Sequence, residues 1–386
     1  MALAPTQPRL AWIDNLRTLM IVLVVNMHAC VTYSHVGSWY RMENPEPGLP
    51  VKIAFLFWQG HLQAFFMGLL FFLAGSFAHQ SLDRRGLGAF LRERGRRLGL
   101  PSLLFMLILH PFMVYVLLGY PPTPDRPPLA THYARYITSG KVFSGNGPMW
   151  FALALLLFCA ALAVVRLWKP PPVAPATPSA RAPSSAALLG FGALLVLSTF
   201  LIRLWQPLGT SVVNFQLGCF PQYIAAFAVG VIAGKHGWLA VLAKSRRARI
   251  AGWLGGVGGP MFLAGVAGLF GPPPEGGANP YAGGWNMTAF AFAAWEQFAG
   301  LGIALGFLAW FHRCGNATGQ VATWLSDRAF AVYLLHAPVL VALTPLLRPL
   351  VVNPFEGAAL LTVTGLVASF VFADAARRLP GLQRIL

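Results

Sequence analysis

Acidic residues are scarce in this 386-residue chain, 11 against 28 lysines and arginines, and charged residues of both signs make up only 10% of it. Beside 56% hydrophobic residues and a mean hydropathy of +0.62, that scarcity excludes an ordinary soluble domain and points to a polytopic membrane protein. Cysteine is also rare. Cys30, Cys159, Cys219 and Cys314 lack CxxC spacing and mostly lie in or beside apolar runs, so they read as small hydrophobes, with no disulfide framework and no metal site. The sequence has no Walker or dinucleotide fingerprint, no HExxH, no GxSxG and no internal repeat. It opens without the short apolar segment and small-residue cleavage site of a removable signal, so the first helix is expected to be retained. The formal charge of +17 would suggest nucleic acid in a soluble chain. Here the basic residues cluster between apolar runs, as orientation signals do, and no nucleic-acid partner is expected.

Windows of about 19 residues place apolar spans at 15–33, 53–78, 99–119, 147–168, 185–204, 217–234, 250–270, 287–311, 327–347 and 356–374. The expected fold is therefore an all-α polytopic membrane protein with ten transmembrane helices. Glycines and Pro260 in the seventh span suit close packing and a kink. An even count puts both termini on one side of the membrane, and charge selects the side. With the termini inside, only Arg41, Lys52, Arg126, Arg135, Lys141, Arg203 and Arg348 face outward, and 21 of the 28 basic residues lie inside, including the cluster from Arg84 to Arg97. Positive loops stay cytoplasmic, which gives N-in and C-in. The whole chain, 1–386, reads as one membrane domain, with a flexible cytoplasmic Pro/Ala/Ser linker, KPPPVAPATPSARAPSS, at 169–185.

The first span carries the most informative spacing. Asp14 and Arg17 lie one helical turn apart, and the apolar run that follows is interrupted by His28. Eleven residues return Arg17 and His28 to nearly the same face, roughly 16 Å apart along the axis. An imidazole in hydrocarbon costs several kcal/mol, so by default it faces protein or a water-filled cavity and marks a functional site. Glu296, in FAFAAWEQFAGLG, is the single carboxylate well inside an apolar span, and it needs a partner or a proton. His61, in FLFWQGHLQAFF, is expected at the same depth as His28 and Glu296, although as a lone histidine it reads equally well as packing. His336, before Pro338, reads equally as a histidine filling a kink, where the proline frees a carbonyl. Near the third span FLRERGRRLGLPSLL supplies Arg94-x-x-Arg97. Such a cluster is ordinarily a solvated anchor, yet guanidinium pairs also suit bidentate phosphate binding.

Taken together these residues resemble the integral-membrane acyltransferase family 3, bacterial O-acyltransferases of about ten helices. Arg17-x10-His28 preceded by Asp14, the run FFMGLLFFLAGSF, Arg94-x-x-Arg97 with Leu98 and Pro101, GPMWFALALL around Trp150, and AVYLLHAPV around Tyr333 and His336 carry the resemblance along almost the whole chain. Chain length, His61 and TYSHVGSW after the first helix make it most similar to the branch that succinylates osmoregulated periplasmic glucans. The resemblance implies transfer of an acetyl or succinyl group from cytoplasmic acyl-CoA to a hydroxyl of an envelope carbohydrate, in the bacterial inner membrane. It also implies no permanently bound cofactor, with acyl-CoA, the carbohydrate acceptor, the lipid bilayer and a second copy or envelope-biosynthesis protein as partners. By resemblance His28 is the essential histidine, Arg17 the first-helix arginine, Arg94 and Arg97 the donor-binding pair, and His61, His336, Trp150 and Tyr333 substrate-side residues, with Asp14 orienting. The appended periplasmic hydrolase-like domain of some members is not found in this sequence.

An imidazole of ordinary pKa about 6.5 suits either a general base on the acceptor hydroxyl or a nucleophile forming a transient acyl-imidazole. Glu296 is expected to orient His28 and stabilise the imidazolium if the two are close. The competing class is a proton-coupled transporter with His28, Glu296 and His336 as its relay. It has no need of the paired arginines, and it usually brings internal repeats or broken helices.

Overall fold

The computed structural model describes residues 10–120, 126–168, 181–274 and 277–385. Most of the linker, 169–180, lies outside the described residues. Among the described residues ten helices are long and apolar enough to cross a membrane: α1 Ala11–Ser34, α2 Leu49–Arg85, α3 Leu87–Leu117, α4 Gly147–Trp168, α5 Ser185–Ile202, α6 Leu217–His236, α7 Arg246–Phe270, α8 Met287–Cys314, α9 Gln320–Leu350 and α10 Pro354–Arg378. No sheet forms among the described residues, only an isolated bridge between Val212 and Phe215. The spans match those expected. Helix ends extend further, because α2 continues to Arg85 and α3 begins at Leu87, where the basic cluster winds into helix rather than loop.

Two groups of helices meet at α1. One consists of α1, α9 and α10; the other is built on α2, which packs against α6 and α8. Glycine allows the α2–α6 approach, because a Cβ on Gly75 would sit 2.2 Å from the Phe227 carbonyl oxygen and one on Gly230 would sit 2.3 Å from that of Phe72. Polar contacts fasten the end of the bundle that holds the chain termini. Asn15 donates to the carbonyls of Gly315 and Ala317 at 2.7 and 2.9 Å, Arg328 and Arg378 both reach Asp374, and Arg166 reaches Asp83.

Prolines accompany three of the four π turns among the described residues. π turns at Gly95–Gly99, Phe105–Leu109 and Leu254–Gly258 each end two residues before a proline, Pro101, Pro111 and Pro260. Proline lacks the N–H and its ring strikes the carbonyl four residues back, and a wider turn relieves both. By contrast α9 stays helical through Pro338 and Pro345.

Candidate active site

The far end of α1 is closed by a loop that folds back over it. His35 ends the helix in a left-handed conformation, φ 57°, and its Nε2 donates to the Glu43 carbonyl at 2.7 Å. The Glu43 N–H donates to the Thr32 carbonyl at 2.8 Å. From α2, Gln59 accepts from the Ser34 hydroxyl at 2.9 Å and donates to the Val36 carbonyl at 3.1 Å. Trp39 is thereby laid on His28, with ring centroids 3.7 Å apart and planes 15° from parallel. The His336 ring from α9 lies 5.3 Å from His28, and again nearly parallel to it. Three flat rings from α1, the loop and α9 therefore form one site.

Hydrogen bonding distinguishes the nitrogens of these rings. The Nδ1 of His336 donates to the Tyr333 carbonyl at 2.7 Å, which leaves Nε2 as the lone-pair nitrogen of a neutral ring. That Nε2 and the Nδ1 of His28 are buried without a hydrogen-bond partner among the described residues. His336 is fully buried, whereas His28 is partly accessible. Buried polar atoms are seldom left bare, because each costs about 1–3 kcal/mol unpaired, so these imidazoles are suited to a polar ligand.

Residues 146–150 border the site. Tyr333 donates its hydroxyl to the Pro148 carbonyl, and Trp150 stacks on Tyr223 at 5.6 Å. Asn214 donates to the Asn146 side-chain oxygen at 2.6 Å and to the Gly147 carbonyl at 2.9 Å, tying this turn to the loop before α6. Gly147 has φ +46°, and a Cβ there would stand 2.4 Å from the Tyr40 hydroxyl. Tyr40 packs on Trp39 and is hydrogen-bonded to His110 Nδ1 at 3.0 Å. Burial, followed by the neighbouring Tyr136, pushes the Tyr40 phenol above the usual tyrosine range, so it stays protonated.

Glu296 and His61 belong elsewhere. Glu296 forms a buried ion pair with Arg203, Nη2 to Oε2 2.6 Å, accepts from Gln297 at 3.3 Å, and makes no hydrogen bond or ion pair with His28. The expected carboxylate–imidazole pair is therefore absent among the described residues. Arg203, counted as an outer-loop charge in the sequence, is 1% exposed and donates through Nε to the Gly218 carbonyl at 3.1 Å. His61 packs edge-on against Trp295 at 5.0 Å, its Nδ1 donating to the Phe57 carbonyl at 2.5 Å. A Cβ on Gly60 would lie 3.2 Å from Trp295, so α2 and α8 do bring His61 and Glu296 to one level. Neither makes a hydrogen bond, ion pair or ring contact with His28 or His336 among the described residues.

At the terminal end of α1, Arg17 pairs with Asp14 at 3.7 Å and lies over the Phe77 ring. Arg94 lies over Phe90, with its Nε buried and unpartnered among the described residues, close enough for its charge to act on Arg17. Arg97 is exposed and is bound to Glu93 at 3.5 Å. Arg94 thus turns its Nε inward, while Arg97, three residues on across the π turn Gly95–Gly99, stays at the surface. Among the described residues no group of three or more His, Cys, Asp or Glu could hold a metal ion.

Two residues that hold these groups, one against His28 and one against Glu296, were not singled out from sequence. Trp39 lies in TYSHVGSW, a segment whose content was visible but whose fold-back was not. Arg203 closes an apolar run, and such a charge looks like a helix boundary until its distant partner is known.

Comparison with known proteins gives one result. A family model described as an acyltransferase domain, of the acyltransferase 3 group, matches residues 10–375. No curated protein and no solved structure matches the chain.

Proposed function

Since the chain belongs to this acyltransferase family and is a multi-pass membrane acyltransferase, we propose that it moves an acetyl or succinyl group from cytoplasmic acyl-CoA to a hydroxyl of an envelope or periplasmic carbohydrate. The observation that carries the proposal is the layout of α1. Arg17 and the inward-turned Arg94 stand near one end, and the unpaired imidazoles of His28 and His336 stand toward the other. In the proposed orientation, N-in and C-in in the bacterial inner membrane, the arginines receive the phosphates of CoA from the cytoplasm, with Arg97 at the mouth. The pantetheine arm then runs along α1 toward His28.

In the transfer step His28 takes the proton of the acceptor hydroxyl as its oxygen attacks the thioester carbonyl. A C–O bond forms, the C–S bond breaks, and the proton passes from the imidazole to the departing CoA thiolate. Trp39 fixes the plane of the His28 ring, while His336, Trp150 and Tyr333 shape the acceptor side. A histidine–glutamate proton relay for transport is less well supported, because Glu296 is held by Arg203 and meets neither imidazole.

The test is acyl transfer by the full chain in detergent, with radiolabelled acetyl-CoA and succinyl-CoA and envelope glycans as acceptor. Label should leave CoA with wild type and not with His28→Ala, and the donor consumed identifies the acyl group. Equal consumption by both proteins would remove His28 from the chemistry. No consumption by folded wild type would instead favour proton-flux assays and the transporter reading.

A further inference from the structure

The outer face of α7 and α8, far from His28, carries a second candidate binding site. At the terminal end a groove of about 370 Å³ runs between the two helices, lined by Arg249, Trp253 and Gly256 of α7 and by Phe307, Trp310 and Arg313 of α8. Its floor is backbone. A Cβ on Gly252 would lie 2.5 Å from the Cα of Gly306, so the helices touch there, whereas one on Gly256 would meet nothing within 4 Å. Trp253 is 73% exposed and Trp310 56%, which in a membrane protein means that they face lipid. A second groove of about 380 Å³ between α1, α8 and α9 shares Trp310 and Cys314 with the first and is otherwise largely apolar, with Leu19, Val22 and Leu325 among its walls.

Charge identifies the occupant. Arg249 and Arg313 are both exposed, and neither makes an ion pair or a hydrogen bond within the described residues. Guanidinium forks match phosphate oxygens in pairs, and basic pockets between membrane helices, at the level of the headgroups, bind anionic lipids. We propose that this face binds one anionic phospholipid, with its phosphate between Arg249 and Arg313 and its two acyl chains lying on either side of Trp310. A zwitterionic lipid would present the same chains, but its own cation would compete for the phosphate. The proposal uses none of the residues assigned to acyl transfer and stands independently of that function.

Native mass spectrometry of the full chain, titrated with phosphatidylglycerol or with phosphatidylcholine of identical chains, tests it. Wild type should prefer the anionic lipid by about 30-fold, as expected for two basic side chains near an anionic headgroup. Arg249→Gln with Arg313→Gln should lose the preference, while Gly256→Leu, which fills open space in the groove, should weaken both lipids. Gel filtration and helical circular dichroism establish that each variant is folded. Equal binding of the two lipids to wild type, an unchanged preference in the double variant, or displacement of phosphatidylglycerol by free CoA would overturn the proposal.

Discussion

Glu296 and Arg203 on one side of α2, and His28 with His336 where α1 meets α9, are two sets of ionisable groups inside the bundle. In the first set the charges are paired: the carboxylate meets a guanidinium and Gln297, and Arg203 reaches a backbone carbonyl through Nε, with its Nη1 left buried and without a hydrogen-bond partner among the described residues. The second is open. Two ring nitrogens have no partner among the described residues, and one of the rings is partly accessible. A charge that has already found its counter-charge holds helices together, whereas an unpaired base beside an accessible space has capacity left for a substrate.

Substitutions can break that contrast. The largest effect is expected from His28→Ala, which should lower acyl transfer by about 10²–10⁴-fold, the range for a lost general base, with no loss of thermal stability in detergent. Glu296→Ala should act on stability instead. It leaves Arg203 buried without its counter-charge, and such losses cost about 3–5 kcal/mol, measurable by reversible denaturant unfolding. Removing both partners, as Arg203→Met with Glu296→Leu, should recover much of that stability. Smaller changes sharpen the picture around each ring. Trp39→Ala should reduce kcat/KM by about two- to tenfold, as expected when an aromatic contact of about 0.5–1.5 kcal/mol is lost, and Trp39→Phe by less. Arg94→Lys keeps the charge but loses the fork, and should raise KM for acyl-CoA while leaving kcat nearly unchanged; Arg97→Lys, at the rim beside Glu93, should change KM less. His61→Gln should change activity least of all, since its ring contacts Trp295 rather than the site.

The ten spans were legible in the sequence because each is a local signal, an unbroken apolar run. Helix ends were less so: FLRERGRR is as polar as a loop, and in the structure it is helical and packs on α2 and α4. His28 could be singled out because Arg17 lies on its own helix at a spacing that geometry interprets directly. The partner of Glu296 could not, since Arg203 comes from another helix end and nothing local marks the pairing. The pairing of Arg94 with Arg97 was legible as a motif, whereas the π turn between them and the inward burial of Arg94 Nε were not. Trp39 depended on a loop whose course is set by Gln59 of the next helix and by Glu43.

The most direct measurement places the two buried sets side by side: acyl transfer from labelled acyl-CoA and unfolding midpoint, determined together for wild type, His28→Ala and Glu296→Ala. If the unpaired histidine is the base and the paired carboxylate is a fastener, the first variant loses transfer at unchanged midpoint. The second loses midpoint and, at a temperature where it remains folded, keeps most of its transfer. Transfer lost in Glu296→Ala at full stability, or kept in His28→Ala, would contradict the account.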